Sequence, residues 1–313
     1  MHAVTIVDGK LEWREHPDPV PGAGEVLVAV HAAGLNGADM MQIKGLYPAP
    51  PGWPQDIPGM ELAGEVVTLG PGQSRFAVGD RVMAIVGGGA QAELALVPER
   101  HLMAVPDTLT WDEAGGFPEV FTTAHDALFT QCGLGMGERV CVHGAAGGVG
   151  VAAVQLAAAT GADVVATVRN EAVRDAVAEM GAAVVAPEGF GAHGPFDVIL
   201  ELVGAPNLAD DVAALATGGR IAIIGVGGGA RAELDLLALM GKRGRIHGST
   251  LRARPTEEKA LAARALEHQV LPLLADGRVR VPIAATFPLA EAATAYERFA
   301  AGAKLGKIVL LRP

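Results

Sequence analysis

Apolar residues follow two regimes along the chain. Up to about residue 100 they form short, strand-length runs at Glu25–Val30, Glu61–Val67 and Asp80–Val86, rich in β-branched residues. Between the runs stand Gly and Pro clusters at 19–24, 48–58 and 70–72, which break helices and favour turns. Short strands punctuated by turns predict a small β-barrel-like unit. After about residue 117 the pattern alternates. Val140–His143 reads as a buried strand, 149–159 as a helix and Asp163–Val168 as a strand. A helix from about 171 to 180, a strand at Phe196–Leu200, a helix at 208–216 and a strand at Arg220–Ile224 follow. Strands alternating with helices predict βαβ units and a parallel sheet. A further helix spans about 256 to 274, and a last strand spans Lys307–Leu311. The pattern allows that strand either to finish the parallel sheet or to return to the first unit.

Composition narrows the classes. A chain of 313 residues, half of them hydrophobic, suggests two domains and a core that needs no cross-links. Two cysteines, Cys132 and Cys141, exclude a disulfide framework and a four-cysteine zinc site. A net charge of −11 argues against generic binding of nucleic acid or an anionic membrane. Mean hydropathy is positive, at +0.32, and residues 140–162 carry no Asp, Glu, Lys or Arg. That stretch is long enough to span a bilayer, yet Gly144, Gly147, Gly148 and Gly150 crowd one end, and His143, Gln155 and Thr160 interrupt it. A strand, a glycine turn and a helix account for it better. The first residues lack a basic region followed by an apolar core, so no secretory signal and a cytoplasmic location are expected.

The most informative stretch is Val140-Cys-Val-His-Gly-Ala-Ala-Gly-Gly-Val-Gly150. A strand, a tight turn and a helix start together make a site for a dinucleotide pyrophosphate, because helix N-terminal N–H groups face the anion and only small residues let it approach. Ala145 stands at the first position of the usual G-x-G-x-x-G spacing, with Gly147 and Gly150 at the others. Arg169 follows the second strand, where an NAD enzyme commonly places an acid; an Arg there suits the 2′-phosphate of NADPH, with NADH the alternative. The histidines show no metal-ligand spacing, and His125 and His143, which flank the turn, need no role beyond packing. Asn36 and Asp39 lie in a turn of the first unit. Tyr47, in Gly-Leu-Tyr-Pro, reads from the residues alone as a surface aromatic pinning its loop.

Several blocks together carry a resemblance. Ala33-Gly-Leu-Asn-Gly-Ala-Asp39, Ile57-Pro-Gly-Met-Glu-Leu-Ala-Gly-Glu-Val66, Phe76-Ala-Val-Gly-Asp-Arg-Val82, Thr122-Thr-Ala124, the glycine turn with Gln155, Asp197-Val-Ile-Leu200 and Gly306-Lys-Ile-Val309 span nearly the whole chain. The sequence resembles the zinc-independent quinone oxidoreductase (zeta-crystallin-like) group of the medium-chain dehydrogenase/reductase superfamily. The resemblance implies an α/β fold, with a Rossmann-type doubly wound parallel sheet over 119–254 and a GroES-like β-rich catalytic domain over 1–118 and 255–313. The zinc-dependent members carry Cys where this chain has Asn36, and His-Glu where it has Met60 and Glu61, so no metal is expected.

By position, the resemblance implies Gly147, Gly148, Val149 and Gly150 along the pyrophosphate and Asn36 and Thr123 near the nicotinamide ribose. Gly225, Val226 and Leu251 fall around the ring. It raises Tyr47 to the leading catalytic candidate, with Asn36 and Asp39 beside it. Where the family's NADPH enzymes often read the 2′-phosphate with Lys and Tyr, this chain offers Arg169, Arg174 and Pro187-Glu188. The expected activity is NADPH-dependent reduction of a small quinone or conjugated carbonyl. The alternatives are an enoyl or alkenal double-bond reductase and a cofactor-binding protein without turnover. A homodimer is expected, with Arg220–Ile224 pairing across a two-fold axis.

Overall fold

The computed structural model describes residues 1–72 and 75–312. The chain opens with a hairpin, His2–Val7 (β1) and Lys10–Glu15 (β2), followed by Glu25–Gly34 (β3) and Gly37–Ile43 (α1). Glu61–Leu69 (β4), Arg81–Ile85 (β5), Leu94–Pro98 (β6) and Met103–Ala104 (β7) complete the first run of strands, and Trp111–Gly115 (α2) and Pro118–His125 (α3) lead out of it. Then come Arg139–Val142 (β8), Gly148–Thr160 (α4), Asp163–Thr167 (β9), Arg174–Ala178 (α5) and Ala183–Val185 (β10). Phe196–Glu201 (β11), Leu208–Ala214 (α6), Leu215–Ile223 (β12), Leu236–Lys242 (α7) and Arg245–Gly248 (β13) continue the alternation. Thr256–Gln269 (α8), Leu271–Ala275 (α9), Ile283–Pro288 (β14), Ala292–Ala300 (α10) and Lys307–Leu311 (β15) end the chain.

The doubly wound parallel sheet and the β-rich unit that the sequence predicts are both present. The parallel sheet runs β10-β9-β8-β11-β12-β13. From β8 the chain winds outward one way to β10, then crosses back and winds the other way from β11 to β13. Connections after β8 and β11 therefore diverge, and a crevice opens at the carboxyl ends of these two strands. In the second sheet β3 pairs with β6 over Glu25–Ala29 and with β4 over Val26–Ala32, and its end, Ala32–Gly34, pairs with β15. The last strand thus returns to the β-rich unit and brings Lys307 to the inner end of β3.

One buried cluster runs from Met83 and Met103 of the β-rich unit through Phe117, Val120 and Phe121 of α3 to Val151 and Val154 of α4 and Leu266 of α8. A core continuous between the two sheets holds the walls of the crevice in one arrangement. At ~25 cal/mol per Å² of apolar surface removed from water, each of these phenylalanines contributes a few kcal/mol to that union.

Four sequence expectations change. The helix at 171–180 is a 3₁₀ turn, Glu171–Val173, followed by the short α5. The helix at 208–216 ends at Ala214, and the next strand starts at once. The helix at 256–274 is broken at Val270 into α8 and α9, because Pro272 has no N–H to continue the ladder and sits in the first turn of the new helix instead. The strand expected at Arg220–Ile224 cannot pair across a two-fold axis: Arg220–Ile223 belong to β12, which has β11 on one side and β13 on the other. Among the described residues, no helix is long and apolar enough to cross a membrane.

Candidate active site

The crevice is a cavity of about 850 Å³ between the two sheets. On one wall the strand–turn–helix at 140–160 folds as its glycines require. Gly144 turns the chain at φ +64°, a region closed to most side chains, and Gly147 stands in extended backbone as the N-cap of α4. No side chain caps this helix and no acid lies in its first turn, so its N-terminal N–H groups stay open for an anion. A Cβ on Gly150 would lie 2.5 Å from the Gly144 carbonyl oxygen, whereas one on Gly147 would meet only that oxygen, at 3.4 Å. Gly150 therefore lets helix and turn pack, and Gly147 keeps the approach from the cavity clear. This wall fits the pyrophosphate of a nicotinamide dinucleotide.

Beneath the turn, His143 bridges Thr167 Oγ1 at 3.1 Å and Asp211 Oδ1 at 2.9 Å. Glu201 accepts from the backbone of Val203 and Gly204 and from Asn207. His143, Glu201 and Asp211 are buried, with one ligand-type atom of each within 4.8 Å of the others. Burial pushes the Asp211 carboxyl up to about 6, against the pull of His143. This set ties α6 to the ends of β8, β9 and β11, where the crevice begins.

The opposite wall is built from α1, β4, α3 and β15. Lys307 Nζ donates to the Leu35 carbonyl at 2.8 Å, to Asn36 Oδ1 at 2.7 Å and to Glu61 Oε1 at 2.6 Å, which uses all three of its N–H bonds. Asn36 Nδ2 donates to the same Glu61 oxygen at 2.9 Å, and the Glu119 N–H reaches the other at 2.8 Å. Position 36 thus presents an oriented amide, position 60 a buried thioether, and an ammonium stands among them. That donor set does not fit a zinc ion, which takes thiolate, imidazole or carboxylate ligands. Glu119 lines the cavity, with the Thr123 hydroxyl donating to it at 3.2 Å. Burial pushes this carboxyl up to about 7; Lys307 opposes the shift and Glu61 adds to it.

The cavity brings together most residues singled out in the sequence. Asn36, Tyr47, Thr123, Gly147, Gly148, Val149, Gly150, Gly225, Val226 and Leu251 all line it. Gly225 allows the close approach of Leu202, whose carbonyl oxygen would lie 2.4 Å from an added Cβ. Asp39 does not reach the cavity. It is fully buried and accepts from the Asn36 N–H at 2.8 Å, capping α1. Arg169 is exposed just beyond β9, outside the cavity wall, and Arg174 donates to the Val168 carbonyl at 3.0 Å and to Glu171 at 3.2 Å.

Three groups escaped the sequence reading. Glu119 and Lys307 are one. Arg252, 1% exposed, is the second: it donates to the carbonyls of Gly87 and Tyr47 and to Gln42, with its guanidinium 5.3 Å from the centre of the Tyr47 ring. It fixes the loop that carries the tyrosine, whose phenol burial raises above its ordinary pKa. The third is Arg254, bidentate to Asp126 at 2.9 and 2.7 Å, which ties the segment carrying Leu251 and Arg252 to the end of α3. The only signal for them was position: Glu119 lies four residues before Thr123, and Lys307 lies inside the Gly306–Val309 block.

Residues 22–107 match the family model of the alcohol dehydrogenase GroES-like domain, and residues 160–310 match that of a zinc-binding dehydrogenase. The chain is 33% identical to a quinone oxidoreductase of Rattus norvegicus over 94% of its own length and 91% of the relative's. It is 32% identical to the quinone oxidoreductase of Homo sapiens, with the same coverage of both chains. Among solved structures, an alcohol dehydrogenase superfamily protein from Novosphingobium aromaticivorans superposes with a TM-score of 0.90 at 30% identity, over the whole of both chains. A mycobacterial protein solved in complex with NADPH gives 0.88 at 28% identity, over 99% of each chain.

Proposed function

The chain belongs to the zeta-crystallin-like quinone oxidoreductase group of the medium-chain dehydrogenase/reductase superfamily and is an NAD(P)H-dependent oxidoreductase; from that premise we propose that it reduces quinones with NADPH and without a metal. One observation carries the reading. The cavity has an uncapped, glycine-lined helix N-terminus on one wall, and on the other an ammonium–amide–carboxylate network at the positions where zinc-dependent relatives keep ligands. When bound, a nicotinamide dinucleotide supplies the hydride. The protein's own work is to hold and orient the reactants and to exclude water between fixed walls. Asn36 is held rigidly by Lys307 and Glu61, so its amide can position the nicotinamide ribose with little loss of freedom. A substrate already poor in electrons needs no Lewis acid, which suits a quinone.

NADPH over NADH rests on Arg169, exposed beyond the second strand of the parallel sheet with no acid in its place. The catalytic unit comprises 1–118 and 255–313, and the cofactor unit 119–254. A homodimer forms through the outer edge of the parallel sheet.

The test is purified protein with NADPH and a panel of ortho- and para-quinones. Turnover well above background is expected, and its absence across the panel overturns the reading. Arg169→Ala should raise the KM for NADPH about tenfold, roughly 1.4 kcal/mol, and leave that for NADH unchanged. Tyr47→Phe should change quinone turnover by less than about threefold, because hydride transfer to a quinone does not require a proton from the phenol. A hundredfold loss confined to conjugated enones would instead assign the enzyme to double-bond reduction, with Tyr47 as proton donor.

A further inference from the structure

Reduction of a quinone by hydride leaves one negative charge on the product oxygen, and a proton must arrive there. Three carboxyl groups, Asp39, Glu61 and Glu119, gather around the ammonium of Lys307. That ammonium has no N–H left, since Leu35, Asn36 and Glu61 take all three. Glu61 is fully satisfied by Lys307, Asn36 and the Glu119 N–H, and it is buried. Asp39 is buried out of reach of the cavity. Glu119 differs from both. It lines the cavity, and among the described residues only the Thr123 hydroxyl hydrogen bonds its carboxyl group. It is thus a carboxyl with no cation hydrogen-bonded to it, beside the Glu61 side chain and open to a bound substrate.

We propose that Glu119 is the proton donor of the reductive reaction, delivering its proton to the substrate oxygen that the hydride transfer leaves negative. The inference rests on the quinone-reductase reading above. As the substrate accepts a hydride from the reduced nicotinamide, the O–H bond of Glu119 breaks and a bond from that proton to the substrate oxygen forms. The net change is quinone plus hydride plus proton to hydroquinone, and Glu119 is left as carboxylate. After the product leaves, water entering the emptied cavity returns the proton. Thr123 holds the carboxyl at the wall beside the nicotinamide position. The groups facing Glu119 are Lys307 from β15, Glu61 from β4, Asp39 from α1 and the Tyr47 phenol from the loop after α1. A group holding its proton up to about 7 is matched to donation near neutral pH, whereas a phenol raised by burial is not.

The test combines a pH profile with a direct titration. Wild-type kcat/KM for a quinone should fall tenfold per pH unit above about 7. Glu119→Gln should lower it about a hundredfold and flatten the profile between pH 6 and 9, and Glu119→Asp should restore part of the rate and the slope. Lys304, which also lines the cavity and is pulled down to about 8 by burial, is separated by Lys304→Met, which should keep the wild-type slope. Infrared titration of the cofactor-free protein should show a protonated carboxyl band that disappears near pH 7 and is missing from Glu119→Gln. Wild-type turnover with an unchanged profile in a folded Glu119→Gln, or absence of that band, overturns the inference. Absence of any wild-type quinone turnover overturns the functional reading instead, and the infrared result still stands or falls alone.

Discussion

Asp39 illustrates how a single carboxyl can shape a site without entering it. Burial pushes it up to about 6, the Asn36 N–H pulling against this, and one of its oxygens has no partner. The folded state therefore holds a proton that the unfolded chain releases near the ordinary value of 3.8. Below that value Asp39 is protonated in both states and contributes nothing. Between about 4 and 6 the folded state binds more protons, so stability falls as pH rises, and above about 6 a constant penalty remains. Asn at this position keeps an acceptor for the Asn36 N–H and has no charge to bury. Asp39→Asn should be more stable than wild type by about 3 kcal/mol at pH 7.5, with the difference vanishing below pH 4. Urea unfolding of both proteins across that range checks it, and a gap that grows toward acid pH would show that Asp39 is held ionised.

At the scale of elements, the strand–turn–helix of β8 and α4 separates two uses of glycine. Gly150→Ala puts a methyl group 2.5 Å from the Gly144 oxygen and 2.6 Å from Ala145 Cα, both backbone atoms, so the turn must open. A loss of about 1–3 kcal/mol is expected, with weaker cofactor binding as a consequence. Gly147→Ala meets nothing closer than 3.4 Å, so its melting temperature should stay within a few degrees of wild type. Its methyl would nonetheless stand among the open N–H groups of α4, and NADPH affinity should fall at least tenfold. Thermal melting and cofactor fluorescence titration read the two effects separately, and equal destabilisation by both changes would refute the division.

This element was legible in the sequence because its information is local: an apolar strand, small residues at fixed spacing and a helical run lie within twenty-odd positions. The polar wall opposite was not. Lys307 and Glu61 sit near opposite ends of the chain, and only the pairing of β15 with β3 brings them together. Glu119 was hidden differently, since a glutamate at the start of a helix usually reads as a favourable partner of its dipole and gives no sign of a cavity in front of it. Pro272 was visible, but the long apolar periodicity around it outweighed a break that the proline dictates.

For the whole molecule, the continuous core between the sheets fixes the crevice but leaves one part of the parallel sheet unfinished. Among the described residues its outer strand, β13, pairs only with β12. The preceding helix, α7, packs against β12 and α6, has the sequence LLALMGK and no buried residue; Leu236, Leu237 and Met240 are 65, 76 and 69% exposed. An apolar helix next to an open sheet edge is unfavourable in water and a ready template for association. His247, on the same strand, has a buried ring nitrogen without a partner. The proposed homodimer would therefore use β13 in place of Arg220–Ile224. Two copies of β13 related by a two-fold axis can pair antiparallel and continue the sheet, with the two α7 helices covering each other's leucines. A stable interface of this kind should bury at least about 1,200 Å² in total. Light scattering should give twice the chain mass for wild type at micromolar concentration. Leu237→Lys with Met240→Lys should give the monomer mass, folded and with NADPH still bound, because neither residue touches the cavity. A monomeric wild type would leave α7 as a solvated helix and end the proposal, whereas a dimer unaffected by the double change would move the interface to the opposite edge, at β10.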